Sequence, residues 1–258
     1  MEATSWKSAL TDTSGGQLRV RGLEITQVMD NLSFGATVFL LWVGRLPNKG
    51  EARIMDAILV SSVDHGVTPP SALATRVVRS GGNPLNAAVA AGILAIGDSH
   101  GGAIEQCARL FQERLKTRDE GPDIGRLASI VVEEFQEKQK RLPGYGHRIY
   151  KRDPRSVKLF QIAEREGIAQ RGVALAVAIQ DELEKRSEGK PLPVNVDGAI
   201  AALMTDLGID WRLGKGFFIL SRTAGLVAHA FEEGVREKPM RSFGHSLPEY
   251  DGPKDLTL

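Results

Sequence analysis

Four short segments of this 258-residue chain set a histidine or an aspartate beside glycine. They are Asp64-His65-Gly66, His100-Gly101-Gly102-Ala103, Gly144-Tyr145-Gly146-His147 and Asn195-Val196-Asp197-Gly198. Imidazoles and carboxylates are the groups that move protons near neutral pH. Glycine lets backbone pass close to a ligand. Each segment falls at a break between helical runs, where side chains can converge on a cleft. Arg155, after Asp153-Pro154, and Arg222, after Ser221, add guanidinium forks that match carboxylates.

Taken singly, each feature has a plainer reading. A histidine beside glycine is commonly structural or on the surface. Asp197 can be a helix N-cap, and Arg155 and Arg222 can be surface ion pairs. The histidines lack the close spacing of a helical zinc motif, so no metal site is expected. No strand precedes Gly144-Tyr145-Gly146, so a dinucleotide fingerprint fails.

The elements that must position these groups are mostly helices. Leu18 to Arg21 alternates, with Gly15-Gly16 before it and Gly22 after, which predicts a short N-terminal β-hairpin. Ile54, Met55, Ile58, Leu59 and Val63 mark a helix over Glu51 to Val63. Asn83-Pro84 starts another, Asn as cap and Pro at the first position. Its continuation, Leu85 to Ile96, is apolar on nearly every side and reads as buried. Ala103 to Lys116 is helical. Asp123 caps a helix that carries Ile124, Leu127, Val131 and Phe135 on one face. Ser156 caps the next. Gly172 to Arg186 comes after it, with Val173, Val177 and Ile179 inward. Val196 to Leu207 and Phe217 to Glu233 complete the set. Arg118 to Pro122 and Ser187 to Pro193 read as loops. Without βαβ alternation, the fold class is mainly α.

Composition narrows the function classes. Lys and Arg number 33 against 32 Asp and Glu, a net charge of +1 that gives no global attraction to nucleic acid. The single cysteine, Cys107, excludes a disulfide scaffold and a cysteine-based zinc site and fits the cytoplasm. The uncharged run before Asp98 is helical only after Pro84, too short for a bilayer core of about 30 Å. Residues 1–10 carry no signal-peptide core. Neither a membrane nor a nucleic-acid partner is expected.

In order along the chain, the segments resemble the citrate synthase family. The family's Asp-His-Gly, His-Gly-Gly-Ala, Gly-Tyr-Gly-His, Asp-Pro-Arg, Asn-Val-Asp and Ser-Arg-x-x-Gly patterns meet Asp64 to Gly66, His100 to Ala103, Gly144 to His147, Asp153 to Arg155, Asn195 to Asp197 and Ser221 to Gly225. Only residues 48–64 separate Leu46-Pro47 from His65, where ordinary members carry a long helical stretch. This compact form resembles citryl-CoA lyase and the C-terminal module of ATP-citrate lyase. Retained His100 departs from the fused lyase modules, which often lack it. The spacing from His147 to Arg155 is one residue shorter than the family pattern.

The resemblance implies cleavage of citryl-CoA, or a close 3-hydroxyacyl-CoA, to acetyl-CoA and oxaloacetate through an enolate. Asp197 would shuttle a proton at the acetyl carbon, held partly ionised by its helix N-terminus. His100, neutral, would donate to the thioester oxygen, and His147 would take the hydroxyl proton. His65, Arg155 and Arg222 would hold carboxylates. Gly144, Tyr145 and Gly146 would contact CoA, with Lys151 at a phosphate and Arg148 and Arg152 solvated. Arg241, with Arg236 and Lys238 nearby, stands for an arginine offered across a subunit interface. No cofactor is expected beyond CoA in the substrate. The resemblance also implies a citrate-synthase-like helical fold, with a large domain from 1–103 and 212–258, a small closing domain at 104–211, and a homodimer or higher homo-oligomer. Two rivals are a compact citrate or 2-methylcitrate synthase running the condensation, and a non-catalytic CoA-ester-binding module.

Overall fold

The computed structural model describes residues 6–116, 123–147, 150–187, 192–242 and 251–252. The expected loop Arg118 to Pro122 and most of Ser187 to Pro193 lie outside them. The N-terminal hairpin has a third strand. Thr11–Asp12 (β1), Arg19–Val20 (β2) and Leu23–Glu24 (β3) form an antiparallel meander, with Val20 opposite both Thr11 and Leu23. Between β2 and β3, Arg21 and Gly22 have φ of 49° and 86°, the two positive values of a tight hairpin turn.

The described residues form eleven α-helices. They are Ile25–Asn31 (α1), Phe34–Val43 (α2), Lys49–Ser61 (α3), Pro70–Ser80 (α4), Leu85–Leu94 (α5), Ala103–Leu115 (α6), Ile124–Glu137 (α7), Pro154–Arg165 (α8), Arg171–Arg186 (α9), Val196–Asp206 (α10) and Gly214–Arg236 (α11). The sequence reading lacks α1, α2 and α4. The start of α2 is marked by Ser33, whose hydroxyl accepts from Ala36 N, and its end by Gly44 in a left-handed conformation.

Caps explain most differences from expectation. Asn48 and Glu51 make a reciprocal capping box, so α3 starts at Lys49, and Val63 falls beyond its end, exposed. Asp123 caps α7 as expected. The α8 cap is Asp153, not Ser156; the buried Ser156 hydroxyl bonds the Asp153 and Val194 carbonyls instead. Pro84 takes the cap position of α5, because the Asn83 amide donates to Val78 O at the end of α4. Nor is α5 buried all round: Ala88, Val89 and Gly92 are, but Leu94 is 86% exposed. In α9 the inward row is Leu175, Ile179 and Leu183 with Ala176, and Val177 points outward at 39% exposure.

The chain divides into two compact units, residues 1–65 with 96–224 and residues 66–95 with 225–258. The first unit is built around α10, whose residues Ala199 to Met204 are all fully buried. A helix apolar all round belongs inside a core, and its alanines let α6, α8 and α9 pack closely. In the second unit α4 packs on α5, and Ala88, Val89, Leu226 and Ala230 form a small core. No helix among the described residues is long and apolar enough to cross a membrane.

Candidate active site

The site gathers at the N-terminus of α10. Asn195 is the cap: its side-chain oxygen accepts from Asp197 N at 3.0 Å and Gly198 N at 3.1 Å. Asp197 is therefore not the capping residue, and its half-buried carboxyl is not used as a cap. Burial pushes that carboxyl up to about 6; Arg155 and Arg222 pull it down and Asp153 pushes it up. The helix N-terminus favours the anion, but desolvation wins, so the carboxyl is less ionised than its place on the helix suggests.

His100 ends a tight turn in which Gly97 and His100 exchange backbone hydrogen bonds, each 3.0 Å. Gly101 follows at φ 90°, and a Cβ there would lie 2.6 Å from the Phe218 ring. Glycine thus lets the turn press onto α11. The His100 ring meets Phe218 edge to face, and the Arg222 guanidinium lies 4.6 Å over the same ring. Burial first, then the Arg222 and His65 charges, lowers the His100 pKa. The neutral donor expected from sequence is what these surroundings favour. Burial first, then the Arg155, Arg222 and His147 charges, lowers the His65 pKa, and Asp64 opposes them.

Arg222 is buried on α11 and donates from Nε to Ser62 O at 3.1 Å. The neighbouring Ser221 hydroxyl donates to Leu59 O, which fixes the helix face. Arg155, at the start of α8, is forked onto Asp153 at 3.0 and 2.9 Å. Within the first unit, His65 thus lies within electrostatic reach of Arg155, Arg222, His147 and His100, His100 also of Arg222, and Asp197 of Arg155 and Arg222. Two guanidinium ions beside the Asp197 carboxyl, one of them also beside His65 and His100, suit a ligand with carboxylates.

The segment carrying His147 is pinned to the strand-like stretch before α10. Gly146 N donates to Pro193 O, Asn195 N to Gly144 O, and Asn195 Nδ2 to Gly146 O. Gly144 has φ 83°, and a Cβ on it would meet Gly198 Cα at 2.7 Å and Cys107 Sγ at 2.9 Å. Its bareness serves packing on α10. The Tyr145 hydroxyl donates to Ala176 O. His147 Nδ1 accepts from Tyr150 N at 3.1 Å, which puts the proton of the neutral ring on Nε2. Tyr145, Gly146 and His147 line a cavity of about 590 Å³ with Leu142, Leu183 and Leu192. Lys140 and Arg141 also line it, two cations that the sequence reading missed.

Other sequence candidates have their own surroundings. Lys151 is exposed beside Arg152 and Pro193. Arg148 lies outside the described residues. Arg241 belongs to the second unit, where it forks onto the buried Glu233 at 2.8 and 2.6 Å, while Arg76 Nε stands 2.7 Å from the same carboxylate. Arg236 pairs with Glu232 and Lys238 is exposed. No three His, Cys, Asp or Glu among the described residues are placed to hold a metal ion. Asp153 and Phe218 are functional neighbours that sequence reasoning missed. Asp153 stood in the quoted Asp-Pro-Arg segment, and Phe218 lies one helical turn before Arg222.

The family description "Citrate synthase, C-terminal domain" matches residues 47–242. The chain belongs to the citrate synthase family. Among solved structures of the family, it is similar to citryl-CoA lyase from Hydrogenobacter thermophilus, with 43% identity and a TM-score of 0.89 over 98% of this chain and 97% of that one. It is also similar to citrate synthase from Pyrobaculum aerophilum, with 29% identity and a TM-score of 0.69 over 89% of this chain and 55% of that one. A protein named probable ATP-citrate synthase, from Caenorhabditis elegans, is 28% identical over 95% of this chain. This chain spans 24–40% of the length of the curated ATP-citrate synthases it matches.

Proposed function

We propose that this citrate synthase family member is a citryl-CoA lyase, cleaving citryl-CoA to acetyl-CoA and oxaloacetate. The observation that carries the reading is the similarity, over nearly the full length of both chains, to a citryl-CoA lyase. The two guanidinium ions of Arg155 and Arg222, which act on both His65 and Asp197, support it.

In this reading Arg155, Arg222 and His65 hold the carboxylates of the citryl group. The hydroxyl gives its proton to His147 as the bond between the acetyl CH₂ and the carbinol carbon breaks. The carbinol carbon becomes the ketone of oxaloacetate, and the bonding electrons pass into the thioester as an enolate. His100 donates to the enolate oxygen, and the Asp197 carboxyl protonates the enolate carbon. Taking a proton at Nε2 requires the Nδ1–H tautomer of His147, so its contact with Tyr150 N opens when substrate binds. The thioester is the electron sink, so the chemistry calls for no cofactor. The cavity at Tyr145 and Gly146 takes part of CoA, with Lys151 at a phosphate. Residues 104–211 close over the substrate, and the chain works as a homodimer or a multiple of one.

Condensation is the second reading, favoured by retained His100 and by the similarity to a citrate synthase. Product assays decide. Citryl-CoA is expected to release acetyl-CoA and oxaloacetate faster than acetyl-CoA and oxaloacetate give citrate and free CoA. The reverse order overturns the lyase reading.

A further inference from the structure

We propose that Asp153 is a positioning residue that clamps Arg155 to the first turn of α10, so that the carboxylate-binding guanidinium and Asp197 are held as one piece. The inference rests on the lyase reading, in which Arg155 holds a substrate carboxylate and Asp197 moves the proton.

Asp153 is fully buried and does far more than cap α8. Capping needs one acceptor, and Oδ1 provides it to Arg155 N at 3.0 Å. The same oxygen accepts from Arg155 Nε at 3.0 Å, and Oδ2 accepts from Arg155 Nη2 at 2.9 Å. Oδ2 also accepts from Val196 N at 3.0 Å, the first residue of α10 and the neighbour of Asp197. Four donors thus meet one carboxylate, two from a guanidinium and two from helix-start backbone. A second tie crosses the same joint, where the Ser156 hydroxyl bonds the Asp153 and Val194 carbonyls.

Burial alone pushes the Asp153 carboxyl up, but Arg155 and the backbone donors outweigh it and hold it below the usual carboxylate range. The clamp is therefore ionised at working pH. A serine would cap α8 about as well, but could neither fork onto Arg155 nor reach Val196 N at the same time. The joint thus sets both the direction of Arg155 and the register of Asp197. Around Asp197 stand Arg155 and Asp153 at the start of α8, Arg222 from α11 and Cys107 from α6.

The test is a mutant cycle on the full chain with Asp153→Ser, Asp153→Asn, Arg155→Leu and the double variant Asp153→Ser/Arg155→Leu. Calorimetric citrate affinity, KM, kcat and melting temperature are measured, with the pH profile of methyl-proton exchange in acetyl-CoA. Losing charge-assisted bonds to a guanidinium is expected to weaken citrate binding about 10- to 100-fold in Asp153→Ser. The double variant binds citrate no worse than Arg155→Leu, because Asp153 acts through Arg155. The acid limb of exchange moves to lower pH in Asp153→Asn, since the charge that pushed Asp197 up is gone. Additive losses with an unmoved limb overturn the inference, and if Asp153→Ser fails to fold, Asp153→Asn decides on the same readouts. A wild type that binds citrate but cleaves no citryl-CoA overturns the lyase reading alone and leaves the cycle on binding to judge Asp153. A wild type that binds no citrate overturns both.

Discussion

His100 meets Phe218 edge to face, with ring centroids 5.3 Å apart and planes at 81°. The contact depends on Gly101, which brings the His100 turn onto α11, and it aligns the imidazole beside the Arg222 guanidinium on the same ring. In the lyase reading, a neutral histidine held this way is a preorganised donor for the developing enolate. Removing such a donor typically costs about 10² to 10³ in kcat. His100→Ala is expected to lose that much, with little change in KM or melting temperature. Methyl exchange in acetyl-CoA falls in parallel. Exchange at the wild-type rate in a folded variant would show that the enolate is stabilised elsewhere.

Asp197 links catalysis to stability through one proton. Its carboxyl rises from 3.8 to about 6 in the fold, so the native state binds this proton more tightly than the unfolded chain. The group's contribution to stability is greatest in acid and falls as pH rises from about 4 to about 6. At neutral pH that costs the fold up to about 3 kcal/mol. Asp197→Asn removes the cost, so its melting temperature at neutral pH is expected above wild type while turnover is lost. Methyl exchange needs the ionised base, so in the wild type it declines as pH drops through about 6. A less stable Asp197→Asn protein with near-normal turnover contradicts both halves.

Arg222→Leu separates carboxylate binding from CoA binding. The guanidinium is buried, bonded to Ser62 O and stacked on Phe218, so its direction is fixed before substrate arrives. Truncating one partner of a buried charge pair typically costs 2–5 kcal/mol, so KM is expected to rise about 30-fold or more. CoA affinity by calorimetry stays near wild type. Arg222 also pulls the Asp197 carboxyl down, so the acid limb of methyl exchange moves to higher pH in the variant. A loss of CoA affinity at unchanged KM assigns the arginine elsewhere.

In the second unit, Glu233 is buried between Arg76 and Arg241. Glu233→Gln leaves two guanidinium ions facing a neutral amide. Breaking a buried pair of this kind costs about 3–5 kcal/mol, and a lower urea midpoint measures it. A midpoint equal to wild type would show that water replaces the carboxylate, and that Arg241 is not held by Glu233.

Most of the candidate site residues were legible because they sit where helical runs break; Arg222, inside α11, was read only from its Ser-Arg-x-x-Gly pattern. His65, His100, His147 and Asp197 each lie beside glycine in such a segment; the structure sets Arg222 near His65, His100 and Asp197, and Arg155 near His65 and Asp197. Helices with clear apolar periodicity or a good cap, such as α6, α7 and α10, were legible for the same local reason. Of the unread helices, α1 has only seven residues and no side-chain cap, α2 is apolar on nearly every side, and α4 starts at Pro70 without a side-chain cap.

Local pattern could not supply the partner of each polar group. Asn83 reads as the cap of α5, yet its amide closes α4. Ser156 reads as a cap, yet Asp153 takes that place and reaches across to α10. Arg241 reads as a cation offered to a neighbouring subunit; within the chain its guanidinium forks onto Glu233, eight residues earlier. The sequence by itself determined the mainly helical class and which side chains could do the chemistry, because residue type and spacing are local properties. Only the tertiary structure decided that Asp197 is pushed to about 6, that Phe218 aligns His100 with Arg222, and that Asp153 ties Arg155 to α10. Desolvation and hydrogen-bond geometry depend on which distant segments pack together, and that is settled only when the core closes.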